Sequence, residues 1–165
     1  YMAYSRIRFE IQNSATMTLV QLNLLRTVTT ARDSMSQQLV QALPIEIRVA
    51  DNLSVLGDQL ELELLFNNLL SNAVTAAVQT PEALVNVSAV TTSDKVLVTV
   101  ENSGKEISES DLAQLSTPFV SERGSGHGLG VPISMSLAEA NGGHLEYTRR
   151  PAGGLIAQVT LRSAT

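Results

Sequence analysis

The sequence contains no cysteine, only two histidines and no apolar run long enough to cross a bilayer, which takes about 18 residues. Without thiols there is neither a disulfide framework nor a thiolate metal site. Two histidines 17 positions apart, His127 and His144, do not make a zinc site. No basic n-region followed by an apolar h-region opens the chain, so no secretory signal is present in it. Charge is also scarce, at 16% of residues, and 11 Lys+Arg against 16 Asp+Glu leave a net charge of −5. That balance argues against a basic nucleic-acid or membrane footprint, so neither nucleic acid nor direct membrane contact is expected of the chain. What is abundant is apolar side chain, 44% of the total, which excludes a disordered or fibrous chain. The 165 residues fit one domain, whose folding buries roughly two-thirds of the unfolded surface.

Residues 1–20 show no clear periodicity and read as a lead-in, either the tail of an upstream helix or residues added for expression. The domain itself is expected over 21–165. Leu22, Leu25, Val28, Met35, Leu39 and Leu43 recur at helical spacing and predict a helix from Leu22 to Leu43, ended by Pro44. Ile45, Ile47 and Val49 alternate as in a half-buried strand. Asp58 followed by Glu61 has the form of a capping box and opens the strongest helix, with Leu62, Leu65, Leu69, Ala73 and Ala76 as its buried stripe and Thr80-Pro81 as its stop. Val85-Val87-Ala89 and Val96-Val98-Val100, joined by a polar turn at Thr92–Lys95, predict an antiparallel hairpin. Residues 102–130 read as irregular. A helix from about Leu129 to Ala140, with Pro132 in its first turn, stops at Asn141-Gly142-Gly143. A second hairpin closes the chain around Pro151-Ala152-Gly153-Gly154. Helices and strands do not alternate one by one, so the expected fold is an α+β two-layer sandwich with a mixed sheet packed on helices.

Three segments could carry chemistry. In Asn67-Asn68-Leu69-Leu70-Ser71-Asn72, residues Asn68 and Asn72 stand one turn apart on one helix face. Alone, that pair fits a solvated polar face or oxygen ligands to a hard cation such as Mg²⁺. Glu101-Asn102-Ser103-Gly104-Lys105-Glu106-Ile107 follows a strand directly. It fits an ordinary turn, or a side chain fixed to meet a base edge beside a glycine that lets the backbone approach a ring. Gly124-Ser125-Gly126-His127-Gly128-Leu129-Gly130 leads into a helix, whose first free N–H groups make an anion site. A flexible linker is the alternative, but four glycines in seven residues before an amphipathic helix favour a phosphate cradle.

In this order the three segments resemble the N, G1 and G2 boxes of the GHKL ATP-binding superfamily, most closely the catalytic domain of sensor histidine kinases. Leu115-Ser116-Thr117-Pro118-Phe119-Val120 is similar to that family's F box, and Ala138–Gly143 to its helix end. The resemblance covers about Leu22 to Leu161. It implies a Bergerat-type fold, ATP and Mg²⁺ as cofactors, and roles for particular residues. Asn72 would be the Mg²⁺ ligand and Asn68 the second polar residue of the N box, the catalytic position. Asn102 would meet the adenine amino group, with Gly104 under the ring and Ile107 and Phe119 in the nucleotide site. Gly126, Gly128 and Gly130 would cradle phosphate, with His127 and Leu129 adding backbone N–H groups, and residues from about 108 to 126 would be a mobile lid. Relatives that hydrolyse ATP, such as gyrase, resemble Asn68's position with a Glu that activates water. An amide cannot take that proton, so Asn68 points to a kinase. Asn102 stands in place of an Asp, Glu106 in place of the second G1 glycine, Leu155 where a Thr is common and Thr75 where a Lys is common.

The function so implied is phosphoryl transfer from Mg-ATP to a histidine on a separate dimerisation domain, for relay to a response regulator, in a homodimeric protein whose catalytic part is expected in the cytoplasm, with or without an inner-membrane anchor elsewhere in the full-length chain. Neither His127 nor His144 lies on a helix with a flanking acid, so the acceptor is expected upstream of Tyr1. An anti-sigma-type serine kinase and a degenerate nucleotide-binding module are the alternatives on the same fold.

Overall fold

A computed structural model describes residues 19–115 and 127–164, with 127–131 described by backbone alone. The elements in chain order are β1 (Val20–Asn23), α1 (Leu24–Asp33), α2 (Gln37–Ala42), β2 (Glu46–Arg48), β3 (Ser54–Gly57), α3 (Gln59–Ala77), β4 (Val85–Thr92), β5 (Lys95–Asn102), α4 (Glu109–Leu115), α5 (His127–Ala140), β6 (His144–Arg149) and β7 (Leu155–Ser163). The strands of the described residues form one seven-stranded sheet in the order β1-β3-β7-β5-β4-β2, with β6 also paired to β7. β2 runs parallel to β4 and the other pairs are antiparallel, so the sheet is mixed. Helix α3 packs on β5 and is flanked by α1 and α5. The expected α+β two-layer sandwich is what forms.

Alternation builds the sheet. Val85 and Val87 on β4, Val96, Val98 and Val100 on β5, and Val159 and Leu161 on β7 are buried because successive side chains point to opposite faces. The β4–β5 hairpin turns through Ser93 and Asp94 alone, with Ser93 at φ +49° as tight hairpin turns require. Both expected hairpins are present.

The sequence pattern misleads where local hydrogen bonding competes with it. The helix expected over 22–43 is broken into a strand and two helices. Leu22 pairs with Val55 in β1, the Asn23 side chain caps α1 by accepting from the Arg26 N–H at 2.9 Å, and Ser36 caps α2 by accepting from the Leu39 N–H at 3.3 Å. Two internal caps offer the backbone an alternative to a continuous helix. The apolar spacing survives the break because Val28 of α1, Met35 of the link between the helices and Leu39 of α2 all still pack at the core. The strand at 45–49 shortens to β2. β3 was not foreseen, since four residues are too few to show an alternation. α4 interrupts the stretch read as irregular. α5 starts at His127 rather than Leu129, so Pro132 is its sixth residue and not in its first turn; lacking an N–H, it leaves the Gly128 carbonyl without a helical donor.

The capping box at α3 is half of what was expected. Asp58 does accept from the Glu61 N–H at 2.9 Å, but Glu61 does not reach back. Its side chain turns inward, 6% exposed, where its Oε1 accepts from Asn141 Nδ2 at 3.1 Å. Asn141 Oδ1 accepts from the Asp58 N–H at 2.7 Å instead. A residue from the far end of the chain thus completes the cap. Burial, and secondarily the Asp58 charge, hold the Glu61 carboxyl above the ordinary carboxylate range, with the Asn141 bond pulling the other way. The folded chain therefore binds this proton more tightly than the unfolded one, so the contribution is most favourable below the unfolded value and is lost as pH rises through the folded one. Glu61→Gln should remove that slope. In denaturant titrations from about pH 4 to about pH 8 the variant should match the parent at the acid end and gain on it as pH rises; a constant difference across the range would contradict the assignment.

Candidate functional site

Helix α3 buries Leu62, Leu65, Phe66, Leu69, Leu70, Ala73, Val74 and Ala77, which leaves a narrow polar edge along Asn67, Asn68, Ser71, Asn72 and Thr75. These residues are not equivalent. Asn67 donates to the Ala31 carbonyl at 3.2 Å and to Ser34 Oγ at 3.1 Å, fastening α1 to α3. Thr75 Oγ1 donates back to the Ser71 carbonyl at 2.8 Å. Asn68 is half-buried and Asn72 exposed, and among the described residues neither side chain makes a hydrogen bond. Their amide oxygens are left available at the middle of the helix, one turn apart. No group of three His, Cys, Asp or Glu among the described residues could hold a metal. A hard cation at this edge would rest on amide oxygen, water and ligand phosphate, a donor set that suits Mg²⁺. Neither glutamate of α3 competes as a base. Glu61 is held by Asn141, and Glu63 accepts from Gln59 Nε2 at 3.0 Å.

Asn102 ends β5 on the same inward face as Val96, Val98 and Val100, the face on which α3 packs. It is 7% exposed, and its Nδ2 donates to the Ser103 carbonyl at 2.8 Å. Flipping the amide would set two carbonyl oxygens against each other, so the orientation is fixed and Oδ1 remains the free acceptor. Ser103 holds the next step of the chain: its N–H donates to the Leu84 carbonyl at 2.9 Å, and its Oγ accepts from the Leu84 N–H at 2.9 Å and lies 3.0 Å from Thr80 Oγ1. The sequence offered Ser103 only as a turn residue.

The β6–β7 turn braces this loop from the other side. Gly154 donates its N–H to the Lys105 carbonyl at 3.2 Å and sits at φ +109°, where a Cβ would overlap the Asn102 carbonyl oxygen. Gly104 lies against it, its own Cβ position 3.2 Å from the Gly154 Cα. Arg150 ties the turn to the strand, bonding Glu101 at 2.8 Å and the Gly153 carbonyl at 3.0 Å. Ile107 is half-buried, and its carbonyl accepts from Arg149 at 3.4 Å. None of these braces was legible in the sequence beyond the Gly-Gly turn itself.

His127, Gly128, Leu129 and Gly130 form the first turn of α5 rather than the loop expected, so their N–H groups are among those a helix leaves free. Phe119 and Gly126, with most of the expected lid, lie outside the described residues; α4 occupies 109–115 of it. His144 is exposed on β6, 3.0 Å from Glu146, as a surface strand residue.

A mixed sheet carrying helices on one face, with polar groups at the middle of the central helix and at the end of the central strand, is the fold of histidine kinase catalytic domains. The mycobacterial sensor histidine kinase MprB superposes with a TM-score of 0.75 at 19% identity, covering 88% of this chain and 97% of that one. Full-length ShkA in complex with AMPPNP gives 0.74 at 20% identity, covering 98% and 35%. Residues 57–165 match the family described as histidine kinase-, DNA gyrase B-, and HSP90-like ATPase, and the chain belongs to that family, which implies ATP binding. Among curated relatives, the sensor protein TorS of Escherichia coli is 36% identical over 134 residues, 76% of this chain and 14% of TorS. Sporulation kinase C of Bacillus subtilis is 28% identical over 144 residues, 86% of this chain and 33% of that kinase. The chain thus spans a third or less of the relatives it matches. No helix among the described residues is long and apolar enough to cross a membrane.

The brace on Asn102 can be tested directly. Gly154→Ala forces an L side chain into a left-handed conformation and against the Asn102 carbonyl, which should cost about 2–3 kcal/mol, a drop in Tm of roughly 4–12 °C. An unchanged Tm would show that the turn does not press on the end of β5.

Proposed function

We propose that this chain is the ATP-binding catalytic domain of a sensor histidine kinase, the domain expected over 21–165 taking in Val20 of β1 as well, and the residues before it being the end of an upstream dimerisation helix or residues added for expression. The observation that carries the reading is the amide chemistry at the middle of α3: Asn68 and Asn72 offer oxygen without offering a base. Asn72 holds Mg²⁺ through its amide oxygen and Asn68 supports the phosphate side of the same face. When bound, the cation neutralises charge on the phosphates. Asn102 Oδ1 accepts from the adenine amino group, and its fixed orientation makes an Asn able to serve there, although a neutral acceptor binds less strongly than a carboxylate. Gly104 lies under the ring, with Ile107 and Phe119 at the nucleotide. Gly126, His127, Gly128, Leu129 and Gly130 give backbone N–H groups to phosphate.

The chain's part in the reaction is positioning and charge stabilisation. The bond between the γ-phosphorus and the ADP oxygen breaks, a phosphorus–nitrogen bond forms to an imidazole of the dimerisation domain, and the imidazole proton leaves to solvent. The phosphoryl group then passes to a response regulator. With amides where a base would have to stand, water is not activated. The full protein is read as a homodimer whose kinase part is cytoplasmic.

Two measurements test this reading. Asn72→Ala should abolish Mg²⁺-dependent ATP binding in calorimetry while the fold persists; a variant that binds as tightly as the parent would remove Asn72 from the metal site. Labelled ATP should leave no phosphate on this chain by itself and should label a supplied dimerisation helix in trans with acid-labile phosphate. Acid-stable label on a serine would indicate a serine kinase instead, and label on His127 or His144 would overturn the fragment reading.

A further inference from the structure

Asn141 and Glu61, 80 residues apart in the chain, lie outside the segments assigned above to nucleotide, yet they are joined by a buried side-chain hydrogen bond. Asn141 is fully buried at the end of α5. Its Oδ1 accepts from Asp58, and its Nδ2 donates to both Glu61 Oε1 and, at 2.8 Å, the Leu137 carbonyl. Among the described residues, Glu61 Oε2 is buried with no partner. An acid held inside with one oxygen unsatisfied is a poorer packing choice than an apolar side chain of similar size, so stability alone does not account for the pair.

Its position does. The clasp joins the end of α5 to the start of α3, and the two helices pack on one another, α5 arriving where α3 departs. Eleven residues separate Glu61 from Asn72 along α3, and eleven separate Gly130 from Asn141 along α5. At 1.5 Å per residue both points stand ~16 Å from the same pivot. A swing of about 4° between the helices moves the end of such an arm by about 1 Å, a displacement that can cost on the order of 10²-fold in a positioned reaction.

We propose that the Glu61–Asn141 clasp is a positioning element for Mg-ATP: by fixing the angle between α3 and α5 it sets the distance between the Asn68–Asn72 face and the free N–H groups of the first turn of α5. The proposal rests on the ATP-binding reading above. The adenine side is held separately, by Asn102 and the β6–β7 turn, and does not depend on this angle.

That separation supplies the test. Affinities for adenosine and for Mg-ATP are measured by calorimetry on the parent, Glu61→Gln, Glu61→Leu and Asn141→Ala. Gln keeps an acceptor for Asn141 Nδ2 and should retain Mg-ATP affinity. Leu at 61 and Ala at 141 should weaken Mg-ATP tenfold or more while adenosine affinity stays at the parent's, which also shows that the variant is folded. If Asn141→Ala does not fold, Glu61→Leu decides, since it leaves the Asn141–Asp58 bond in place. Equal loss of both ligands would make the clasp merely structural, and unchanged Mg-ATP affinity in Glu61→Leu would dismiss it; either result overturns the proposal with ATP binding intact. A parent that binds neither ligand overturns the ATP reading and the proposal with it.

Discussion

Helix α3 must bury most of its circumference, and that requirement constrains everything around it. Leu62, Leu65, Phe66, Leu69, Leu70, Ala73 and Val74 cannot face water together, so the sheet lies under the helix and α1 and α5 lie beside it. Once those contacts are made, Asn67, Asn68, Ser71, Asn72 and Thr75 are left along one edge of the helix, while Glu61 turns inward to Asn141. Asn67 uses that edge to bind α1, and among the described residues Asn68 and Asn72 keep their amide oxygens without a hydrogen bond. The amide pair is thus a product of packing as much as of spacing.

The same helix packs on β5, the strand that Asn102 ends. Asn102 lies on the inward face of β5 beneath it, fixed by Ser103 on one side and by the glycine turn after β6 on the other. The two ends of the site are held by different means. The end of β5 is held by backbone contacts so close that Gly154 admits no side chain, whereas α3 and α5 are joined by a buried side-chain contact between Glu61 and Asn141.

Family membership accounts for the fold, and the departures within it are local. Asn102, expected to stand in place of an acid, has its amide held in one orientation by the Ser103 carbonyl. Glu106 is exposed, so it meets no steric objection where a second glycine would be expected. Glu61 escapes the capping role its spacing suggested because burial places Asn141 within reach of both the backbone N–H and the carboxylate. Local rules describe what a residue can do beside its neighbours in the chain, and tertiary contact chooses another partner when one is closer.

The sequence by itself determined the secondary elements with strong periodicity, the helix at α3 and both hairpins, because alternation and helical spacing are written residue by residue. It also determined which polar residues share a helix face, since Asn68 and Asn72 are one turn apart in any α-helix. Chain order alone could not reveal β3, the break between α1 and α2, or the contacts of Asn141, Ser103 and Gly154. Each of those depends on groups brought together from distant segments: β3 is a strand because β1 and β7 flank it, and Asn141 is a cap because α5 ends where α3 begins. Only the folded chain decides such partners, because a hydrogen bond depends on distance in space and not on separation along the chain.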